Sequence, residues 1–281
     1  MTRVSANILP YLLLATGYAG LGWMAWRELT RAPQGTATAQ SSWVRSALPQ
    51  ALLALALIWH ALLLRETIWI EGAINFSFAN ALSAVTWLTA LVLWIGRFAE
   101  PLASVTALLL PVTAICVLLP AWDQHPHWLR YFDQPWAALH VAVALVAFSL
   151  FIVAALQALL LMSVERRLHA GNPLPLDTTL PPLLTLERFL FRLIGVAFIL
   201  LTLTVASGAF FSEELFQQPF RFTHKVVFSL LAWAVFASLL IGRQRYGWRG
   251  RVALRWILAG SGLLVLAYIG SKFVLEVLLG R

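Results

Sequence analysis

The stretch Pro135 to Arg167, PWAALHVAVALVAFSLFIVAALQALLLMSVERR, limits the possible folds more than any other part of the chain. Its apolar run is about 27 residues long, and no charge interrupts it before Glu165, Arg166 and Arg167 close it. At about 1.5 Å per residue, a helix of that length crosses a hydrocarbon core of about 30 Å with room for tilt. One polar ring, His140, stands about a turn inside the first end of the run. A histidine in such a span is costly unless something engages it, so it marks a functional position.

Seven further runs reach roughly 20 residues, the length a spanning helix needs. The eight expected spans lie near Val4–Trp26, Ala47–Leu64, Phe78–Ile95, Pro101–Leu119, Trp136–Met162, Phe189–Phe210, His224–Ile241 and Val252–Ser271. Only 11% of the 281 residues are charged, against about 25% in soluble domains, and 60% are hydrophobic. The fold class is therefore all-α, a polytopic integral membrane protein read as a single transmembrane domain over residues 1–281. The net charge of +8 does not point to nucleic acid, because the basic residues sit in short loops between apolar runs. Ala37-Thr38-Ala39 imitates a signal-peptidase site, but Arg27, Glu28 and Arg31 intervene, so the first span is read as retained.

Orientation follows from the arginines. Loops after the odd-numbered spans hold Arg27, Arg31, Arg45, Arg97, Arg166, Arg167, Arg188, Arg243, Arg245, Arg249 and Arg251. Loops after the second, fourth and sixth hold only Arg65, Arg130 and Arg221. Positive residues stay inside, which predicts both termini outside. The outer loops also gather aromatic residues, among them Trp69, Trp122, Trp128, Tyr131, Trp136 and Phe220. These suit either an interfacial belt or a lid over something bound at the outer face. The segment Arg65–Phe76, RETIWIEGAINF, is expected to lie flat on the membrane as a short amphipathic piece.

On this topology His60, His140 and His224 fall within one or two turns of the outer surface, on three different helices. His224, beside Lys225 at the edge of its span, suits a helix cap or headgroup contact as well as a ligand. His60 and His140 lack polar neighbours along their helices and are either core histidines bonded to a carbonyl or hydroxyl, or ligands. His125 and His127 lie in an outer loop, and His169 in a basic inner one. The spans that hold these histidines carry no Asp or Glu, and the single cysteine, Cys116, belongs to another span, so a mixed zinc site lacks parts. There is no CxxCH for covalent haem attachment. Two neutral imidazoles in an apolar, aromatic space suit a b-type haem, with at most two of His140, His60 and His224 as axial ligands. Its propionates would pair with Arg65, Arg130, Arg221 or Lys225.

Three stretches then carry a family likeness: PPLLTLERFLFRLIGVAFILLTLTVASG from Pro181, HKVVFSLLAW from His224, and GWRGRVALRWILAGSGLLVLAYIGSKFVLE from Gly247. They resemble the cytochrome c assembly membrane-protein family in its CcsA- and HemX-like part, above all the YpjD branch. The likeness runs from about Trp136 to the C-terminus. LHVAVALVAFSLF (Leu139–Phe151) resembles the family's span with an outward haem-ligand histidine, which implies that role for His140. The sequence departs from the family before the seventh span. Haem-handling members carry a tryptophan-rich WWD loop there, whereas FFSEELFQQPFRFTHK contains no tryptophan. The family's histidines near the inner end of the seventh span and after the last span are also missing from FASLLIGR and SKFVLEVLLGR.

Two functions are expected from these readings. One is a multi-pass protein of the bacterial inner membrane that binds b haem near the outer face. It would act in cytochrome c biogenesis or haem handling beside another membrane protein of maturation. The alternative is a non-haem regulatory or scaffold protein that kept the fold and works through its inner loops, Leu174–Arg188 and Arg243–Arg251. No HExxH, GxSxG or P-loop motif is present, and no mid-span Asp, Glu or Lys of a transporter, so the chain is not read as an enzyme.

Overall fold

Backbone groups in hydrocarbon must be satisfied within the segment, and the apolar runs accordingly become helices. The computed structural model describes residues 8–30, 47–70, 73–96, 103–122, 128–129, 135–171, 182–210 and 224–270. The helices are α1 (Leu9–Thr30), α2 (Ala47–Ile68), α3 (Phe78–Gly96), α4 (Ala103–Cys116), the single turn α5 (Leu119–Trp122), α6 (Pro135–His169), α7 (Leu183–Phe210), α8 (His224–Tyr246) and α9 (Gly250–Val265), which runs on into a π-helical turn, Leu266–Gly270. Among the described residues seven helices are long and apolar enough to cross a membrane. The remaining long helix, α1, occupies the first of the eight expected spans. Expected span ends agree to within a few residues for α2, α3 and α8, while α7 begins six residues earlier than expected and α6 runs seven residues further, to His169. His125 and His127, Tyr131, Phe220, Arg130, Arg221 and the stretch before His224 lie outside the described residues.

The contacts group into two compact units, Met1–Leu129 and Arg130–Arg281. In the first, α1 packs on α4, α4 on α3, α3 on α2 and α2 on α1, which closes a ring of four helices. Tyr18, Leu14, Leu53, Leu93 and Leu110 are fully buried inside it. Gly22 lets α1 approach α4, because a Cβ there would stand 3.0 Å from Cδ of Pro111. The fourth span breaks after Cys116, and Pro120, lacking an N–H, sits in the short turn that resumes it.

At the end of α2 the chain does something the sequence does not announce. Instead of an amphipathic surface helix, Trp69–Ile70 and Ala73–Asn75 form two strands, β1 and β2, and Trp128–Leu129 adds a third, β3. All pairs are antiparallel, with Trp69 opposite Ile74 and Asn75 opposite Trp128. The buried Asn80 amide ties this sheet down by donating to the carbonyls of Thr67 (3.2 Å) and Asn75 (3.0 Å). Both acceptors sit at segment ends, where backbone oxygens lack ladder partners.

The second unit repeats the ring: α6 packs on α7, α7 on α8, α8 on α9 and α9 on α6. Pro135 opens α6, where its fixed φ favours the first helical turn. Phe151 and Phe236 stack at 4.1 Å in the centre, and Gly260 makes room for the Phe236 ring. Polar glue joins α7 to α8: the Trp233 indole donates to the Thr202 hydroxyl at 2.9 Å, and that hydroxyl donates to the Phe198 carbonyl at 2.8 Å.

Candidate functional site

His140 sits in the second turn of α6, half-buried against the last turns of α7. Its Nδ1 is 2.7 Å from the Ser207 hydroxyl oxygen. Ser207 in turn donates its one hydrogen to the Thr204 carbonyl at 3.1 Å. On that network Nδ1–H is the donor to Ser207, which sets the tautomer of the ring. A partner bonded to one ring nitrogen fixes the orientation of an imidazole, as the orienting groups of metal-ligating histidines do.

The same end of this unit collects α8 and the π-helical turn. His224 is the first residue of α8 and is exposed. Lys225, next to it, is within electrostatic reach of His140 and lies 5.6 Å from the Tyr268 ring centroid. Tyr268, in the π turn, packs on Phe148 of α6 at 5.3 Å. Single π turns of this kind recur at functional sites, where they re-aim a side chain. The imidazole, ammonium and aromatic rings therefore share one end of the second unit.

His60 has different surroundings. It belongs to the first unit, is 0% exposed, and joins three helices. Its Nδ1 meets the Tyr18 hydroxyl of α1 at 3.3 Å, and its Nε2 meets the Ser83 hydroxyl of α3 at 2.9 Å. A neutral imidazole has one donor and one acceptor nitrogen, and both are used here. To bind iron it would have to give up one of these bonds. Among the described residues no group of three His, Cys, Asp or Glu side chains could hold a metal ion, a condition that a two-histidine haem site does not need to meet.

Two features escaped the reading from sequence. Ser207 is one, because transmembrane serines commonly bond only their own preceding turn, and nothing in VASG sets it apart. The other is a polar junction at the opposite end of the second unit. There Glu187, within LERFLFRLIG, pairs with Arg243 at 3.5 Å and accepts a bond from the Gly250 N–H of GWRGR at 3.4 Å. Arg243 also lies 3.5 Å over the Phe191 ring. Gly247, at φ +65°, ends α8 in the left-handed conformation and donates to the Arg243 carbonyl at 3.2 Å. The Trp248 ring then packs at a tilt against Trp256 at 5.2 Å, and the Glu187–Gly250 bond joins the stretch from Pro181 to the stretch from Gly247.

Comparison with known proteins extends the likeness toward the N-terminus. The inner membrane protein YpjD of Escherichia coli (strain K12) is 32% identical over 244 residues, covering 84% of this chain and 89% of that protein. The cytochrome c biogenesis protein CcsA of Parasynechococcus marenigrum is 25% identical over 288 residues, 91% of this chain and 93% of its own. CcsA of Chlamydomonas reinhardtii is 26% identical over 190 residues, 67% of this chain and 52% of its own. Residues 46–279 match the family described as Cytochrome C assembly protein, a reach some ninety residues longer than the likeness from Trp136 onward. This multi-pass membrane protein belongs to the cytochrome c assembly protein family.

Proposed function

We propose that the unit built from α6 to α9 binds a b-type haem at the end where α6 begins, and that the protein handles haem in cytochrome c assembly at a bacterial inner membrane. The observation that carries this reading is the bond between His140 and Ser207, which orients the ring near the start of α6. His224 is the proposed second ligand. It opens α8 in the same unit, and its neighbour Lys225 is already within electrostatic reach of His140. His60 is the less suitable partner because both of its nitrogens are engaged.

The residues present fit a non-covalently held porphyrin. Phe148 and Tyr268 offer aromatic surface, Lys225 a cation for a propionate, and two imidazoles the axial nitrogens. When bound, the haem supplies the prosthetic group that c-type cytochromes carry, and the protein's part is to hold and orient it as an assembly factor. The relatives called cytochrome c biogenesis proteins support that role. The stretch 211–223 contains no tryptophan, so delivery through a WWD loop is not part of the proposal.

A pyridine haemochrome assay on purified wild type beside His140→Ala, His224→Ala and His60→Ala tests the assignment. Wild type should carry haem, the first two variants should lose most of it, and His60→Ala should keep it per folded molecule. Full haem in His140→Ala would overturn the assignment. A colourless wild type after expression with ample haem would favour the second reading, a partner-binding scaffold. That reading draws on the ordered Glu187–Arg243–Gly250 junction behind the basic loops.

A further inference from the structure

At the end of α2 a cleft of about 850 Å³ opens beside α3. Small-molecule sites commonly span about 300–1,000 Å³, so its size is that of a ligand pocket. Leu62, Ile68, Trp69 and Trp87 line it, together with Arg65 and Glu66. The Trp87 indole donates to the Leu57 carbonyl at 2.8 Å, which fixes that wall. Leu62 and Trp69 are 52% and 62% exposed, apolar surface near the end of a spanning helix where acyl chains meet headgroups.

Arg65 and Glu66 are both exposed, and among the described residues neither makes an ion pair with another side chain. Successive positions on a helix do not face each other, so Arg65 and Glu66 do not pair with one another, and both line the cleft. The occupant must therefore match an apolar cleft that carries one cation and one adjacent anion.

We propose that this cleft holds a phospholipid of the phosphatidylethanolamine class, its phosphodiester on Arg65, its primary ammonium on Glu66 and an acyl chain along Leu62, Ile68 and Trp87. Guanidinium donates in a fork suited to phosphate oxygens, and a carboxylate accepts from a primary ammonium. A phosphatidylglycerol headgroup carries the same phosphodiester but no ammonium to pair with Glu66, and a choline headgroup has no N–H to give it. The proposal does not depend on the haem reading, because every residue it uses lies in the first unit.

The test uses the full-length protein in nanodiscs of phosphatidylcholine with equal parts of phosphatidylethanolamine and phosphatidylglycerol. The protein is re-extracted in mild detergent and weighed by native mass spectrometry. Wild type should retain a lipid, chiefly phosphatidylethanolamine. Glu66→Gln should lower its ratio to phosphatidylglycerol by roughly 3-fold, the factor an exposed charge pair supplies. Arg65→Gln should reduce retention of both, and Ala84→Leu, which adds bulk to the cleft wall, should reduce retention while the headgroup residues stay intact. Equal retention of the two lipids by wild type would overturn the proposal. So would an unchanged ratio in Glu66→Gln, or a porphyrin mass lost on Ala84→Leu.

Discussion

His140 and His60 are both histidines inside spanning helices, yet their surroundings assign them different work. Ser207 orients the His140 ring, so Ser207→Ala should weaken haem binding by about 10–100-fold, the usual cost of removing an orienting partner. Haem titration of the apoprotein measures this, and Ser207→Thr should restore most of the affinity. His60→Ala should act instead on stability, since it strands the hydroxyls of Tyr18 and Ser83 in the first unit. The expected cost is about 1–3 kcal/mol, read as a lower melting temperature in detergent with the haem-to-protein ratio unchanged. At this scale the sequence exposed the residues but not their roles. A lone histidine in ALLALALIWHALLLR or ALHVAVALV is conspicuous, whereas the hydroxyl that engages it sits far away in the chain and looks like any transmembrane serine or tyrosine.

Among the elements, long helices were legible because hydropathy over twenty residues is a strong signal, while α2, α6 and α8 run on past the first charges that close their apolar runs. The three short strands were not, since two or three residues cannot display an alternating pattern. Nor was the junction of α7, α8 and α9, where a half-exposed pair joins positions 56 residues apart, Glu187 and Arg243. Glu187→Gln should remove the ion pair while leaving an acceptor for Gly250, and cost about 1 kcal/mol at this partly exposed site. Gly260→Ala is the sharper packing probe. Its methyl would come 2.7 Å from the Phe236 ring, itself stacked on Phe151, and overpacking of that kind costs about 1–3 kcal/mol. Thermal unfolding of both variants checks the order of these effects.

For the whole molecule, the distribution of arginines predicts the orientation. It predicts that a cysteine at position 169 is labelled by an impermeant maleimide only after the membrane is opened, since His169 lies among Arg166 and Arg167 at the end of α6. Labelling in intact cells would reverse the topology and put His140 on the inner side. The grouping into two four-helix units was not legible, because apolar runs of similar length give no sign of which neighbour they pack against.

The 35-residue helix α6 has a mechanical consequence. From His140 to His169 it is one uninterrupted rod of about 44 Å, well over the thickness of a hydrocarbon core of about 30 Å. It works as a strut: its tip among the arginines and its imidazole are fixed to the same stiff axis. A body that grips the tip and tilts it by a few degrees displaces the ring at the far end in the same movement, without any signal having to pass from helix to helix.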